Sequence, residues 1–457
     1  MSKSISAAAT ANAAVQSNIR EGLVTALLGL SMVLVIMNTM MFNMALPSVA
    51  VDFGLSASST SWIVTGYSIV FAIASITYSR LSDFVPIRRL FVFALVSFSA
   101  AAIAGLFSDS FLALLLVRLV QASGAGAIPA LSLVLVTRYV PQQRRGKAMA
   151  MIMSAASLGL GLGPVVGGAI VEYWGWHYLF AITAVTIVLV PLLAGLLPKE
   201  KPTAGTFDFA GALFVGIGTT GLLLFLTNHS VIALAAGVVS LVLFVVRIRK
   251  ARDPFVQPAL FRNRGYMLLS VVGMTAYLSS FSTLYLMPQI LVGQYELSAI
   301  ESGLVLFPGT LLAFFVSRRV GKFIDRQGNR TILRFVPWIV LASVILFALL
   351  SGTSYVAIML VFLLLSVGFT IISSSVSNEM SRVLKPAQIG SGLGLFQLLQ
   401  FFSGAFAVAA SASAMSWQRE LPPFTAYGNI YWGLTVIVLV SIGCAYAYTR
   451  GHARSGT

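Results

Sequence analysis

Apolar residues in this chain neither alternate nor recur on one helical stripe; they run unbroken for about twenty residues at a time between short polar stretches. About 30 Å of hydrocarbon is crossed by about twenty residues at about 1.5 Å each, so every such run is long enough to span a bilayer. The runs fall at Leu23 to Leu46, Ser61 to Tyr78, Leu90 to Leu106, Phe111 to Val136, Ala148 to Ile170, Tyr178 to Leu197 and Ala210 to Thr227. They continue at Val231 to Val246, Tyr266 to Leu291, Gly303 to Val316, Ile332 to Leu350, Val356 to Ile372, Gly392 to Ala412 and Ile430 to Tyr448. The pattern predicts an all-α membrane protein with about fourteen transmembrane helices. Leu23 to Leu46 is too long for a signal-peptide core and is followed by no small-residue cleavage site, so it is read as a retained first helix.

The basic residues test this map, because loops facing the cytoplasm hold the Lys and Arg excess. With the N-terminus inside and strict alternation, 27 of the 29 Lys and Arg residues fall in inside loops or tails, leaving Arg118 within a span and Arg419 outside. One miscounted helix would scramble that alternation from its position onward. The expected arrangement is a multi-pass protein of the cell membrane, its two termini cytoplasmic.

Composition then narrows the function. Apolar residues make up 58% of the 457 and charged residues only 9%, too few to cover a water-solvated surface. The formal net charge of +16 does not signal nucleic-acid binding, because the cations sit in short clusters between spans and form no continuous basic face. The single cysteine, Cys444, excludes a disulfide framework or a thiolate metal cluster. No metal-ligand cluster, nucleophile arrangement or phosphate loop is visible, so the sequence argues against an enzyme and calls for no cofactor; a membrane enzyme or receptor is a remote alternative.

Two inside loops resemble each other: Ser79-Arg80-Leu81-Ser82-Asp83 through Arg88-Arg89 after the second span, and Gly321 to Arg330, holding Asp325 and Arg326, after the tenth. If they are equivalent points of a duplication, six helices match six others and two are inserted between them. Such repeats commonly build transporters that bind substrate near mid-membrane. The expected organisation is an N-terminal tail (1–20), a six-helix bundle (21–198), a two-helix insert with its flanking loops (199–264), a second six-helix bundle (265–449) and a tail (450–457). The paired Asp and basic residues (Asp83, Arg88, Arg89; Asp325, Arg326) suit a gate that breaks as the halves rock, or a solvated loop that merely sets topology.

Four motifs resemble the major facilitator superfamily, specifically its fourteen-helix drug:proton antiporter branch, from about Leu23 onward. Met37 to Pro47 ends in the Asn-x-Ala-Leu-Pro of that branch's first helix, with Asn43 in place but Asn38 where the branch has an acidic residue. The Asp83 loop and its better copy at Gly321 to Arg330 resemble the superfamily's gating signature, which favours the gate reading. Arg118-Leu119-Val120-Gln121-Ala122-Ser123-Gly124 resembles Arg-x-x-Gln-Gly-x-Gly, whose Arg is linked to proton coupling. Gly159 to Gly168, with Gly163, Pro164, Gly167 and Gly168, is similar to the glycine motif of exporters in this superfamily. Arg118 to Leu131, Tyr139 to Ala148 and Gly163 to Gly168 are most like class K and L tetracycline efflux proteins. The resemblance implies a major facilitator fold and efflux of a drug-like small molecule, such as a tetracycline-like one, hence multidrug or antibiotic resistance, with protons as coupling ion.

The residues support part of this by themselves. Arg118 and Gln121 lie one turn apart on one face. Seven residues into a span, Arg118 should face a polar cavity or a partner and not lipid, because a cation in lipid costs several kcal/mol; the plainer alternative is an arginine that snorkels out to the headgroups. Glycines three or four apart in the fifth span let backbones meet, which suits a flexing contact between halves. Gln397 and Gln400, one turn apart in the thirteenth span, join Asn38, Asn43, Arg118 and Gln121, with Tyr67, Tyr277 and Gln289, as candidates for the substrate and proton cavity, against the plainer reading of interhelical glue. All thirteen acidic residues fall at span ends or in loops, so no mid-membrane carboxylate is present to carry a proton. Coupling through Asp52, Glu172 or Asp83, a contribution from His177, and uncoupled diffusion all stay open, as does export of an endogenous metabolite, peptide or metallophore. The expected partners are the substrate, protons and the lipid bilayer, and the expected form is a monomer.

Overall fold

A computed structural model describes residues 21–454 apart from 56, 201, 203–206, 229, 252 and 419, and no strand occurs among the described residues. Fourteen stretches of the chain form long helices: α1 Glu21–Asp52, α2 Ala57–Leu81, α3 Ile87–Gly105, α4 Phe111–Tyr139, α5 Gln142–Tyr173, α6 Tyr178–Leu196 and α7 Phe209–Asn228. The others are α8 Val231–Lys250, α9 Arg264–Tyr295, α10 Ala299–Gln327, α11 Arg330–Leu350, α12 Tyr355–Val383, α13 Ile389–Trp417 and α14 Pro423–Arg454. Twelve are long and apolar enough to cross a membrane; α7 and α10 carry shorter apolar runs, Phe209–Phe225 and Ile300–Val316.

Most helices outrun their apolar cores. α5 begins six residues before Ala148 and α12 continues through the polar Ser373 to Val383, because neighbouring helices, not hydropathy, decide where a backbone stays helical. α14 runs to Arg454, into residues that the sequence assigned to a tail. α6 is interrupted by a 3-10 turn at Val185–Val188.

The helix ends distinguish two faces. α4, α8, α10 and α12 each start with a serine (Ser110, Ser230, Ser298, Ser354) whose hydroxyl accepts a first-turn N–H. α2, α4, α8 and α12 end in basic last turns (Arg80, Arg138, Arg247, Arg382), where cations meet the negative end of the helix dipole. One face of the molecule is therefore basic and the other serine-capped.

Packing repeats itself. The contacts α1 with α5, α2 with α4, α3 with α4 and α3 with α6 recur as α9 with α13, α10 with α12, α11 with α12 and α11 with α14. Matching α1–α6 to α9–α14 also exchanges the two main contacts between the halves, α5 with α10 and α2 with α13. This pseudo-symmetry is that of a duplicated six-helix bundle. α7 and α8 form a hairpin whose α7 packs beside α2 and α13, and the two helices lie close because a Cβ on Gly221 would come 2.5 Å from the Ala233 carbonyl oxygen. Asp208 fastens that hairpin, accepting from Gly211 N–H (3.0 Å), Phe255 N–H (3.3 Å) and Arg247 Nε (3.0 Å).

Candidate functional site

Arg118 projects from α4 into the first bundle and is only 1% exposed. Its Nη1 donates to Asn38 Oδ1 of α1 at 2.9 Å and to Gln121 Oε1 one turn along α4. The two faces of the guanidinium are covered by Phe42 at 3.9 Å and Tyr67 at 4.0 Å, measured from Cζ to the ring centres. Asn38 is held in turn by donating Nδ2 to Thr183 Oγ1 of α6 at 2.7 Å. Inserting an arginine at mid-helix costs about 2.5–3.5 kcal/mol. Hydrogen bonds to a charged group contribute about 1.5–3 kcal/mol each and desolvated cation–π contacts about 2 kcal/mol, so this cage offsets the cost without a carboxylate. The planar cation is the requirement, since an ammonium cannot stack on two rings.

Of the two readings of Arg118, a cavity or a partner, the structure shows partners: the cluster lies inside the first bundle. The space between the bundles has other walls: Met32, Ile36, Pro129, Met153, Ala156 and Leu160 from α1, α4 and α5 face Tyr277, Phe281, Phe369, Gln397 and Phe401 from α9, α12 and α13. Of the predicted cavity residues whose side chains are described, Gln397 and Tyr277 line it. Gln400 turns aside toward α9, where its Nε2 would lie 3.3 Å from a Cβ on Gly273. The side chain of Asn43 lies outside those described. A run of rings joins the two places: Tyr67 stacks on Phe71, which meets Phe401 edge-on at 4.6 Å, and Phe401 meets Tyr277.

The glycine motif of α5 splits in two. Gly159, Gly163 and Gly167 pack on α1, where added Cβ atoms would come 2.8 Å from the Val33 carbonyl oxygen, 2.4 Å from Met40 Cβ and 2.8 Å from Met41 Cα. Contact between halves falls instead to Gly161, whose Cβ would meet Thr310 Oγ1 of α10 at 2.0 Å, and to Val165 against Gly303. Gly168 is looser, 3.8 Å from Ile300, and Pro164 lies within the helix. The flexing contact expected of the whole motif thus falls to part of it, and most of it welds α5 to its own bundle.

At the basic end, α2 closes on the start of α13. Ser79 Oγ donates to the Gly390 carbonyl at 2.6 Å, and Asp83 accepts from the Gly390 backbone N–H. Asp83 also pairs with Arg80 at 2.7 Å and Arg138 at 3.1 Å. Its basic partners are thus not Arg88 and Arg89, for which no ion pair is found among the described residues. Burial pushes the Asp83 carboxyl above its usual range, against the opposing pull of Arg80, Arg138 and the Gly390 N–H. The side chains of Asp325 and Arg326 lie outside those described. Glu200 braces the same end, accepting from Ile87 N–H at 2.6 Å and from the Tyr139 hydroxyl.

A second seam runs from the cavity to the basic end between α5 and α12. Ser157 and Thr370 share a hydrogen bond of 2.7 Å at its inner limit, and Arg145 faces Arg382 at its outer one. Between them α12 buries Ser373, Ser374, Ser377 and Asn378, and both amide atoms of the fully buried Asn378 lack a partner. Sequence reasoning missed this stretch because Ser and Asn read as loop; the signal was their number inside a continuous helix. At the opposite end, Asp52 accepts from Trp176 Nε1 at 2.6 Å and His177 stacks on Trp176.

The arrangement is matched elsewhere. Residues 28–408 fit the Major Facilitator Superfamily profile. The chain is 25% identical to a riboflavin transporter of Clostridioides difficile (strain 630), covering 90% of this chain and 94% of that protein. It is 26% identical to a lincomycin resistance protein of Listeria monocytogenes, covering 84% of each. Its fold is similar to the human organic anion transporter MFSD10 (TM-score 0.70, 16% identity, 92% of this chain and 99% of that one). It is also similar to a proton:xylose symporter (TM-score 0.66, 15% identity, 94% and 95%).

Proposed function

Because the chain belongs to the major facilitator superfamily, and is therefore a multi-pass membrane transporter and not an enzyme, we propose that it exports a drug-like small molecule by alternating access. The observation that carries this reading is the cavity at the junction of the halves, walled by α1, α4 and α5 on one side and α9, α12 and α13 on the other. We assign residues 21–198 and 265–449 to the two bundles and 199–264 to the insert. Under this reading the basic face is cytoplasmic, the protein sits in the cell membrane, and one chain encloses the whole passage, so it acts as a monomer. The contacts of Ser79 and Asp83 with Gly390 form the inner gate, and the polar seam along α12 becomes the cytoplasmic entry path once the halves rock apart. Water in the open seam would satisfy Ser373, Ser377 and Asn378, which explains polar groups left unpartnered when it is shut. The lincomycin resistance relative supports a drug-like cargo; tetracycline-like molecules fall within that class.

A second reading is facilitation without proton drive. It is favoured by the absence of any carboxylate among the described residues of the cavity wall and by the aromatic cage that stabilises the Arg118 cation without one. Purified protein in liposomes separates the two. Antiport would accumulate substrate against its gradient when a pH difference is imposed, whereas facilitation would only equilibrate it. A protein that moves none of a broad compound panel under either condition would overturn both.

A further inference from the structure

The wall of the central cavity carries one carboxamide, Gln397, 1% exposed, and neither Nε2 nor Oε1 has a hydrogen-bond partner. Around it stand four aromatic rings. Tyr277 stacks on Phe281 with 16° between planes, and Phe369 and Phe401 meet Tyr277 edge-on at 5.2 and 5.6 Å. The opposite wall is Met32, Ile36, Met153 and Leu160, with no charged side chain among the lining residues. A charged ligand group placed here would be buried without a counter-ion, which is costly for either sign. A flat uncharged ring system, by contrast, finds aromatic faces and polarisable thioethers.

We infer that Gln397 reads a paired donor and acceptor on a flat, uncharged aromatic substrate, such as the adjacent N–H and C=O of a lactam or imide. The Gln397 Oε1 accepts the ligand N–H while its Nε2 donates to the neighbouring C=O, forming a closed two-bond ring. A carboxamide serves this edge in either flip of its terminal group, because the ligand pair is itself reversible. The site is selective because a ligand lacking the pair leaves both buried amide atoms unpartnered, a defect that sites built for hydrogen bonding discriminate against strongly. This rests on the reading that the cavity is the substrate site, and adds the chemical class that it selects.

The test uses the neutral, fluorescent lactam phenanthridin-6(5H)-one and its N-methyl derivative, which keeps the carbonyl and the rings but has no donor. Binding to the full-length protein in lipid nanodiscs is followed by fluorescence, and export of both compounds by the same protein in liposomes. The wild type should bind the lactam at least about tenfold more tightly than its N-methyl derivative. Gln397→Met, of similar volume, should bind the two alike. Gln400→Met removes a buried amide one turn away, off the cavity, and should keep the preference, which controls for general damage to α13. Equal binding by the wild type, no lactam binding, or a preference surviving in Gln397→Met overturns the inference. If the wild type exports the N-methyl compound as well as the lactam, the transporter reading stands and only this inference falls. If it binds the lactam selectively but exports nothing, the recognition stands and the export reading falls.

Discussion

At the scale of residues, Arg118 shows how a charge is made tolerable in a membrane with no acid beside it. Two rings cover its faces and two amide oxygens accept from one nitrogen. Arg118→Lys keeps the charge and loses the plane, so it should lower thermal stability by about 2 kcal/mol and remove most transport. Arg118→Ala should insert normally yet not transport; full activity in either variant, measured in liposomes, would count against the cage. The spacing of Arg118 and Gln121 was readable in the sequence because i and i+3 share a helix face. Phe42, Tyr67 and Asn38 were not readable as partners, because their contacts depend on how α1, α2 and α4 meet. Asp83 carries the pH prediction. Its carboxyl is raised in the closed form by burial. A group with a higher pKa in the closed form than in an open, hydrated one binds its proton more tightly when closed. Acid therefore favours closure, and that contribution fades as pH rises through the raised value. Spin labels at Arg89 and Lys385 should report a shorter mean distance at pH 5 than at pH 8, and Asp83→Asn should flatten the difference.

At the scale of elements, the contact of α2 with α13 is set by glycine. A Cβ on Gly390 would lie 2.0 Å from Asp83 Oδ1 and 2.7 Å from the Ser79 carbonyl oxygen, and the latter cannot move aside without its helix. Gly390→Ala should thus part α2 from α13, the proposed inner gate, at a cost of about 1–3 kcal/mol to the closed form. The measurement is accessibility of an Asn378→Cys probe, in a Cys444→Ser background, to a membrane-impermeant maleimide. Labelling should rise about tenfold in Gly390→Ala, and an unchanged rate would detach the α12 seam from the gate. In α4, added Cβ atoms on Gly124 and Gly126 would come 2.4 Å from the Ala94 and 2.2 Å from the Phe71 carbonyl oxygens. Alanine at either should lower the melting temperature without changing relative flux through the molecules that fold. The small residues of α4 and α5 announce close packing in the sequence, but which neighbour each glycine meets is fixed by rotation about the helix axis. Hence Gly161 joins the halves while Gly159, Gly163 and Gly167 do not.

At the scale of the whole molecule, two bundles share one contact pattern and close around a cavity whose rings continue toward the Arg118 cage. If those rings couple cage and cavity, Phe71→Ala should reduce flux while leaving lactam binding at Gln397 within about twofold; equal loss of both would place Phe71 in general packing. The chain by itself determined that it crosses a membrane many times, which face is basic, and where most helices lie. Burial of apolar residues in lipid is a property of consecutive residues and adds up along the chain, so hydropathy and the placement of Lys and Arg report it directly. Tertiary structure alone decided that Arg118, Asn38 and Gln121 close among themselves, that Gln397 and not Gln400 faces the cavity, and that polar Ser373 to Asn378 stay helical. Those outcomes depend on which surfaces distant helices bring together. No local pattern records that choice, because the same side chain is a wall, a gate or a weld according to the neighbour it meets.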